Sequence, residues 1–190
     1  MPARGDAGGV RAVLLRGLGP FPRALAEEVA ARASERVPVP WRLRLDLPDL
    51  PAPLLPGREQ VDAGPLLSAL EAEPLEQGHA VVGITLRDLG IPIFTYIFGQ
   101  ARVGGRAALV STARLSPEFY GFPPDPGLLA DRAVAEVLHE VGHLAGLRHC
   151  AGHDCLMHFA ATVEAIDLRG PSFCGRCALA LQAMLHPRPG

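Results

Sequence analysis

Residues 138–177 read LHEVGHLAGLRHCAGHDCLMHFAATVEAIDLRGPSFCGRC. This one stretch holds five of the chain's seven histidines and all four of its cysteines. Side chains able to bind a soft or borderline metal are thus gathered into forty of 190 residues. A fold that suits this chain has to bring them together.

The first half is His139-Glu140-x-x-His143-x-x-Gly146-x-x-His149. On an α-helix, positions i and i+4 lie on one face about one turn apart, so the imidazoles of His139 and His143 can reach a single ion. A third histidine on the same helix would extend a row instead of closing a tetrahedron. Gly146 resolves this: glycine tolerates positive φ, ends the helix, and lets the chain turn until His149 faces the ion from another side. Zinc with three protein ligands keeps a fourth position for water, lowers that water's pKa to ~7 and polarises a carbonyl. Glu140, beside the first ligand, is placed to take the water's proton and pass it to a leaving amine. Helix histidines that merely pack are the competing reading. They would require the glycine and the third histidine to fall at this spacing by chance.

The second half is Cys150-x4-Cys155 followed by Cys174-x2-Cys177. Two close pairs of thiolates separated by a loop have the ligand count and spacing of a tetrahedral four-thiolate zinc site. Two disulfides are the alternative, and they require an oxidising compartment.

The order HExxHxxGxxHC, then x4-C-x-Met (Cys155, Met157), then CxxC resembles the archaemetzincins, a branch of the metzincin zinc metallopeptidases. The resemblance implies that His139, His143 and His149 hold a catalytic zinc and that Glu140 is the general base. It implies that Cys150, Cys155, Cys174 and Cys177 hold a second, structural zinc, and that Met157 forms the methionine turn beneath the metal site. A methionine alone is more often a filler of core gaps; only the Cys-x-Met context assigns it that place.

A chain of 190 residues is long enough for one domain with a sizeable core, or one domain with two lobes. A hydrophobic content of 48% excludes disorder, and a net charge of -2 gives no reason to expect nucleic-acid binding. All 18 basic residues are arginine, which removes Schiff-base and lysine-nucleophile chemistry. No apolar run approaches the ~20 residues of a membrane span. The best signal-peptide candidate, residues 12–18, is short and broken by Arg16. A reducing cytoplasm is therefore expected, and it suits zinc thiolates better than disulfides.

In chain order, a polar start at residues 1–9 is expected to be loose. A buried strand begins at Ala12 and is stopped by Pro20 and Pro22. Residues 23–36 place Leu25, Val29 and Ala33 at spacing four against charged neighbours, an amphipathic helix. Residues 41–47, WRLRLDL, alternate as a half-exposed strand. Four prolines in residues 48–57 demand a loop. Arg58-Glu59-Gln60 follows, similar to an Arg-x-Gln element of the archaemetzincins, although a solvated turn reads equally well. A helix is expected from about 65 to 73, and a central strand at 79–86 from its continuous β-branched apolar run.

Residues 91–101, IPIFTYIFGQA, read as a single strand with Pro92 at its entry. The turn at Gly104 and Gly105 makes it an edge strand of a hairpin with 106–115. By resemblance to metzincins, Phe94 to Gln100 is the edge that binds a peptide substrate by strand addition; an ordinary protected edge is the alternative. Ser116 to Gly127 is a proline-rich loop, either a lid or a passive connection. It leads to the helix carrying the histidines, from about 128 to 145. After His149 too few residues remain for a core of their own, so a structural zinc is expected to tie them to a C-terminal helix near Cys177. His153 and His158 read as loop histidines, and Asp154 and Asp167 as caps. Tyr96, Tyr120 and His158 are candidates for an oxyanion stabiliser.

The expectation is an α/β zincin-like fold: a mixed, mostly parallel sheet with an antiparallel edge strand, backing helices, the active-site helix and a small zinc-stapled C-terminal lobe. One catalytic domain spans 1–190, with an upper lobe at about 10–146 and a lower lobe at about 147–190. The expected activity is zinc-dependent peptide-bond hydrolysis with two zincs per chain. The alternative is a non-peptidase zinc protein that uses the cleft and the exposed edge for partner binding.

Overall fold

The structure, a computed structural model, describes residues 10–185, so the start at 1–9 lies outside it. β1 (Ala12–Gly17) leads through α1 (Arg23–Arg36) to β2 (Trp41–Arg44). A short β3 (Val61–Asp62) and α2 (Ala63–Glu71) precede β4 (His79–Thr85). β5 (Leu89–Ile91), β6 (Phe94–Ile97) and β7 (Gly99–Ala101) follow closely. Then come β8 (Ala107–Ser111), α3 (Pro126–Leu144), α4 (Val163–Leu168) and α5 (Gly175–Leu185).

The main sheet has the order β2-β1-β4-β8-β7. Its first four strands are parallel and β7 runs antiparallel to β8, so it is the expected mixed sheet with an antiparallel edge. Parallel strands need cover on both faces, and the side-chain alternation supplies it. Ala80, Val82, Ile84, Ala108 and Val110 pack toward α1 and α3, while Val81, Ala107 and Leu109 pack toward Leu66, Leu67 and Leu70 of α2. Each buried Val, Leu or Ile contributes roughly 1.5–3 kcal/mol relative to exposure.

Residues 91–101 do not form the single strand that their apolar run suggests. Pro92 and Ile93 make a tight turn, because proline has no N–H to offer a ladder. β6 folds back antiparallel on β5 in a small second sheet of order β3-β5-β6. A bend at the buried Phe98 then carries the chain into the main sheet as β7. The expected substrate edge at 94–100 is thus divided between two sheets, each segment lying at an edge. The turn at Gly104 is as expected: φ is +71°, and the Gly105 N–H donates to the Arg102 carbonyl at 2.8 Å.

Other boundaries move for local reasons. β2 stops at Arg44, whose guanidinium turns to Asp46 at 2.9 Å. The Asp62 side chain caps the Gly64 N–H and starts α2 two residues before Pro65, which the first turn of a helix tolerates. Asp125 accepts from the Leu128 N–H at 2.9 Å and Pro126 opens α3, the two signals that begin a helix. Residues 116–127 include a 3₁₀ turn, Pro117–Tyr120, whose Phe119 and Tyr120 rings pack edge to face at 5.1 Å. α4, capped by Thr162, has no counterpart among the expected elements.

Candidate active site

α3 buries His139, Glu140 and His143. The helix ends as the glycine spacing predicts. Gly146 has φ +99°, its N–H donates to the His143 carbonyl, and the Leu147 N–H donates to the Gly142 carbonyl, each at 2.9 Å. This is a Schellman cap, and it turns the chain so that His149 comes back over the two helix histidines. The ring centroids lie 4.7 Å (His139 to His143), 5.3 Å (His139 to His149) and 4.9 Å (His143 to His149) apart. One nitrogen from each ring falls within 4.8 Å of the other two.

The remaining nitrogens fix the rings. His139 Nδ1 lies 2.8 Å from the Leu156 carbonyl oxygen, and His143 Nδ1 lies 2.8 Å from that of Leu147. A carbonyl only accepts, so both rings carry the proton on Nδ1 and turn a lone pair outward on Nε2. Those Nε2 atoms face each other at 3.1 Å. Two lone pairs at that distance repel unless a cation lies between them. Ligand bonds of 2.0–2.1 Å in a tetrahedron space nitrogens about 3.4 Å apart, so the donor set fits zinc. Burial holds the pKa of His139 well below 6.5, helped by the charge of Arg169, and burial lowers those of His143 and His149 too. The neutral, ligating form is favoured in all three.

Glu140 is buried beside His139, and its Oε2 has no hydrogen-bond partner among the described residues. Burial, and then the nearby charge of Glu136, push its pKa well above 4.5; Arg169 opposes them. The cleft in front of these side chains has a volume of about 420 Å³. β6 and β7 form one wall, α3 the floor, and His149 with Phe159, Ala160 and Ala161 the other wall.

Met157 is fully buried beneath α3, and a Cβ placed on Gly142 would lie 2.5 Å from its Sδ. Its carbonyl accepts from the Cys150 N–H at 2.8 Å, which joins this turn to the residue after His149. The four cysteines are free, and their sulfurs lie within 4.8 Å of one another. Cys150 and Cys174 stand 3.9 Å apart, against ~2.05 Å in a disulfide and about 3.8 Å between thiolates around zinc. The Cys150 thiol is lowered to about 6 by the Gly152 N–H, with Arg176 adding to the effect. The lowered Cys150 and Cys174 suit thiolate ligands, whereas burial pushes the thiols of Cys155 and Cys177 up.

Other expected residues fall elsewhere. Tyr96 lines the cleft, with its hydroxyl donating to the Ala161 carbonyl at 2.8 Å. Tyr120 donates to the Arg114 carbonyl, and the 116–127 loop packs on Arg114 and contributes nothing to the described cleft walls. His158 Nδ1 lies 3.0 Å from the Cys150 carbonyl oxygen, and its ring packs on His153. Asp167 is no cap: it takes the Arg132 guanidinium at 2.7 and 2.6 Å. Arg58, of the Arg-x-Gln element, donates to the Phe94 carbonyl at 2.8 Å and so pins the β5–β6 turn at the rim of the cleft. Gln60 donates to Asp88 at 3.0 Å, and Asp88 also holds Arg114 through two bonds.

Nothing in the sequence singled out Glu136 and Arg169. They form a buried ion pair at the back of the cleft. Their separation of 33 residues leaves no local pattern, and only the acidic residue's place one turn before His139 hinted at it.

Comparison with known proteins agrees with this geometry. The archaemetzincin of Pyrococcus horikoshii is 41% identical over 121 residues, covering 64% of this chain and 63% of that protein. Less than two thirds of that relative's length is therefore matched. Among solved structures, a zinc-dependent peptidase from Methanocorpusculum labreanum superposes with a TM-score of 0.81 at 29% identity, over 89% of this chain and 99% of that one. The archaemetzincin of Methanopyrus kandleri superposes with a TM-score of 0.76 at 32% identity, over 96% and 98%. The profile of Peptidase family M54 matches residues 75–183, which include every histidine and cysteine of the two clusters, and the chain belongs to that family.

Proposed function

We propose that this chain is a zinc-dependent metallopeptidase that hydrolyses peptide bonds with water. In this reading His139, His143 and His149 hold a catalytic zinc and Glu140 is the general base. Cys150, Cys155, Cys174 and Cys177 hold a second, structural zinc that staples residues 147–190 to the upper lobe at 10–146. The observation that carries the reading is the pair of facing Nε2 atoms at 3.1 Å, with the buried Glu140 Oε2 unpartnered among the described residues.

Zinc, when bound, lowers the pKa of a water to ~7 and polarises the scissile carbonyl. The protein's own groups do the rest. Glu140 Oε2 takes a proton from the attacking water, and the buried carboxyl holds it until the leaving amine nitrogen accepts it. The carbonyls of Leu147 and Leu156 keep two ligand rings in one tautomer throughout. A peptide substrate lies along β7 and the end of β6, where unpaired edge backbone offers hydrogen bonds without selecting side chains. Four free thiols in one cluster suit a reducing compartment, so we place the protein in the cytoplasm. Among the described residues, no helix is long and apolar enough to cross a membrane.

The decisive variant is Glu140→Ala. It should retain two zincs per chain and lose hydrolysis of a peptide library that the wild type cleaves. Retained hydrolysis would remove Glu140 as the base.

A further inference from the structure

Among the described residues, the pair of Glu136 and Arg169 is the one buried charged cluster at the cleft that the hydrolytic steps do not use. Arg169 is 5% exposed and Glu136 4%. Arg169 follows α4, and the chain there packs closely on the turn before it: a Cβ on Gly170 would lie 2.3 Å from the Asp154 carbonyl oxygen. The guanidinium divides its donors. Nη2 donates to Glu136 Oε1, one turn before His139 on α3. Nη1 donates to the His158 carbonyl at 3.2 Å and lies 3.1 Å from His139 Nδ1. That nitrogen already gives its proton to the Leu156 carbonyl, so the guanidinium acts on the ring by contact and not by hydrogen bonding.

Leu156 and His158 flank Met157, so one arginine ties the helix that carries two ligands to the turn whose carbonyl orients one of them. A planar fork serves two acceptors in fixed directions, which a single ammonium does not. A buried carboxylate opposite supplies the charge that lets the arginine stay there.

We propose that Arg169, held by Glu136, is a positioning residue for the metal ligand His139. It locks the turn at 156–158 onto α3, so that the Leu156 carbonyl keeps the His139 proton on Nδ1 and turns Nε2 toward the cation. The inference rests on His139 being a ligand, and its test keeps the two ideas apart. Partners just outside a metal's ligands typically change affinity by about 10–100-fold when removed, and that is the range expected here.

The experiment loads the full chain with cobalt(II) or zinc and measures the affinity of each site by chelator competition, alongside the cobalt absorption spectrum and peptide hydrolysis. Arg169→Met should weaken the histidine site about 10–100-fold, alter its cobalt spectrum, lower kcat more than it raises KM, and leave the cysteine site filled. Arg169→Lys should recover only part of the affinity. Should Arg169→Met fail to fold, the double variant Glu136→Gln/Arg169→Met, which leaves no buried charge, carries the same expectation. Wild-type affinity and an unchanged cobalt spectrum in Arg169→Met, or in the double variant where Arg169→Met does not fold, overturn the positioning role alone. A wild-type chain that binds a single ion, on its cysteines, overturns the ligand reading and this inference with it.

Discussion

Gly99 of β7 lies directly against the Glu140 carboxylate: a Cβ on Gly99 would stand 2.6 Å from Glu140 Oε1 and 2.9 Å from the Leu109 carbonyl oxygen. The edge strand and the proposed base are therefore in contact, and only a residue without a side chain permits it. Gly99→Ala should push Glu140 off its position, because the backbone of β8 blocks retreat on the other side. A displacement near 1 Å at a reacting group costs on the order of 10²-fold in rate. The expected result is a loss of kcat/KM of that order with both metals retained, measured by peptide hydrolysis and metal counting. Unchanged turnover would mean that Glu140 is not held by this contact.

The same contact shows where sequence and fold part company. Both candidate metal clusters were legible, the histidines from i and i+4 on a helix followed by a glycine whose positive φ redirects the chain, the cysteines from two closely spaced pairs. The parallel sheet was legible from continuous apolar runs such as HAVVGIT in β4. Residues 91–101 misled because a run of apolar residues does not reveal which sheet each segment joins. Phe98, where the chain changes sheets, is as apolar as its neighbours. The pairings Arg58 to Phe94, Arg132 to Asp167 and Glu136 to Arg169 join residues far apart in the chain, and no spacing rule announces them. Asp167 was misjudged for that reason: its partner lies 35 residues away.

Gly142, inside the HEVGH segment, should resist the usual benefit of alanine in a helix. Glycine to alanine in a helix interior ordinarily gains ~1 kcal/mol. Here the new methyl would lie 2.5 Å from Met157 Sδ and 3.3 Å from the Phe173 ring, and Met157 is fully buried. Overpacking of this kind costs about 1–3 kcal/mol, so Gly142→Ala should be destabilised, and Gly142→Ala/Met157→Val should recover much of the loss. Thermal melts of the three proteins decide it; a single variant as stable as wild type would show that Met157 is not pressed against α3.

Glu140 also sets a pH dependence for protein whose histidine site has been emptied by a chelator. Its carboxyl is held well above 4.5, first by burial and then by Glu136. A folded-state pKa above the unfolded one means a contribution to stability that is complete below about 4.5 and is lost as pH rises through the folded value. Glutamine does not titrate. The stability of Glu140→Gln relative to wild type should therefore increase as pH rises from about 4.5 to 8, and the gap should shrink when the cation is restored. Urea unfolding at several pH values reads this directly, and a gap independent of pH would contradict the burial of an ionisable Glu140.

Cys174→Ser tests whether the two clusters act as one mechanical unit. His149 and Cys150 are consecutive, with Cα atoms ~3.8 Å apart. The Cys150 N–H is bound to the Met157 carbonyl, so the thiol cluster, His149 and the turn at Met157 are tied to one short piece of backbone. The segment beyond His149 contributes the apolar side chains of Leu156, Met157, Val163, Ile166, Leu181 and Leu185 to the core, a small set for residues 150–185. Zinc on cysteines contributes about 10 kcal/mol or more of apparent folding free energy in small domains, and serine does not replace a thiolate. The variant should lose one zinc per chain, melt at lower temperature, and lose at least about tenfold in kcat/KM because the backbone that fixes His149 loosens. Loss of one zinc with full turnover would show that the histidine site holds its shape without the cysteine cluster behind it.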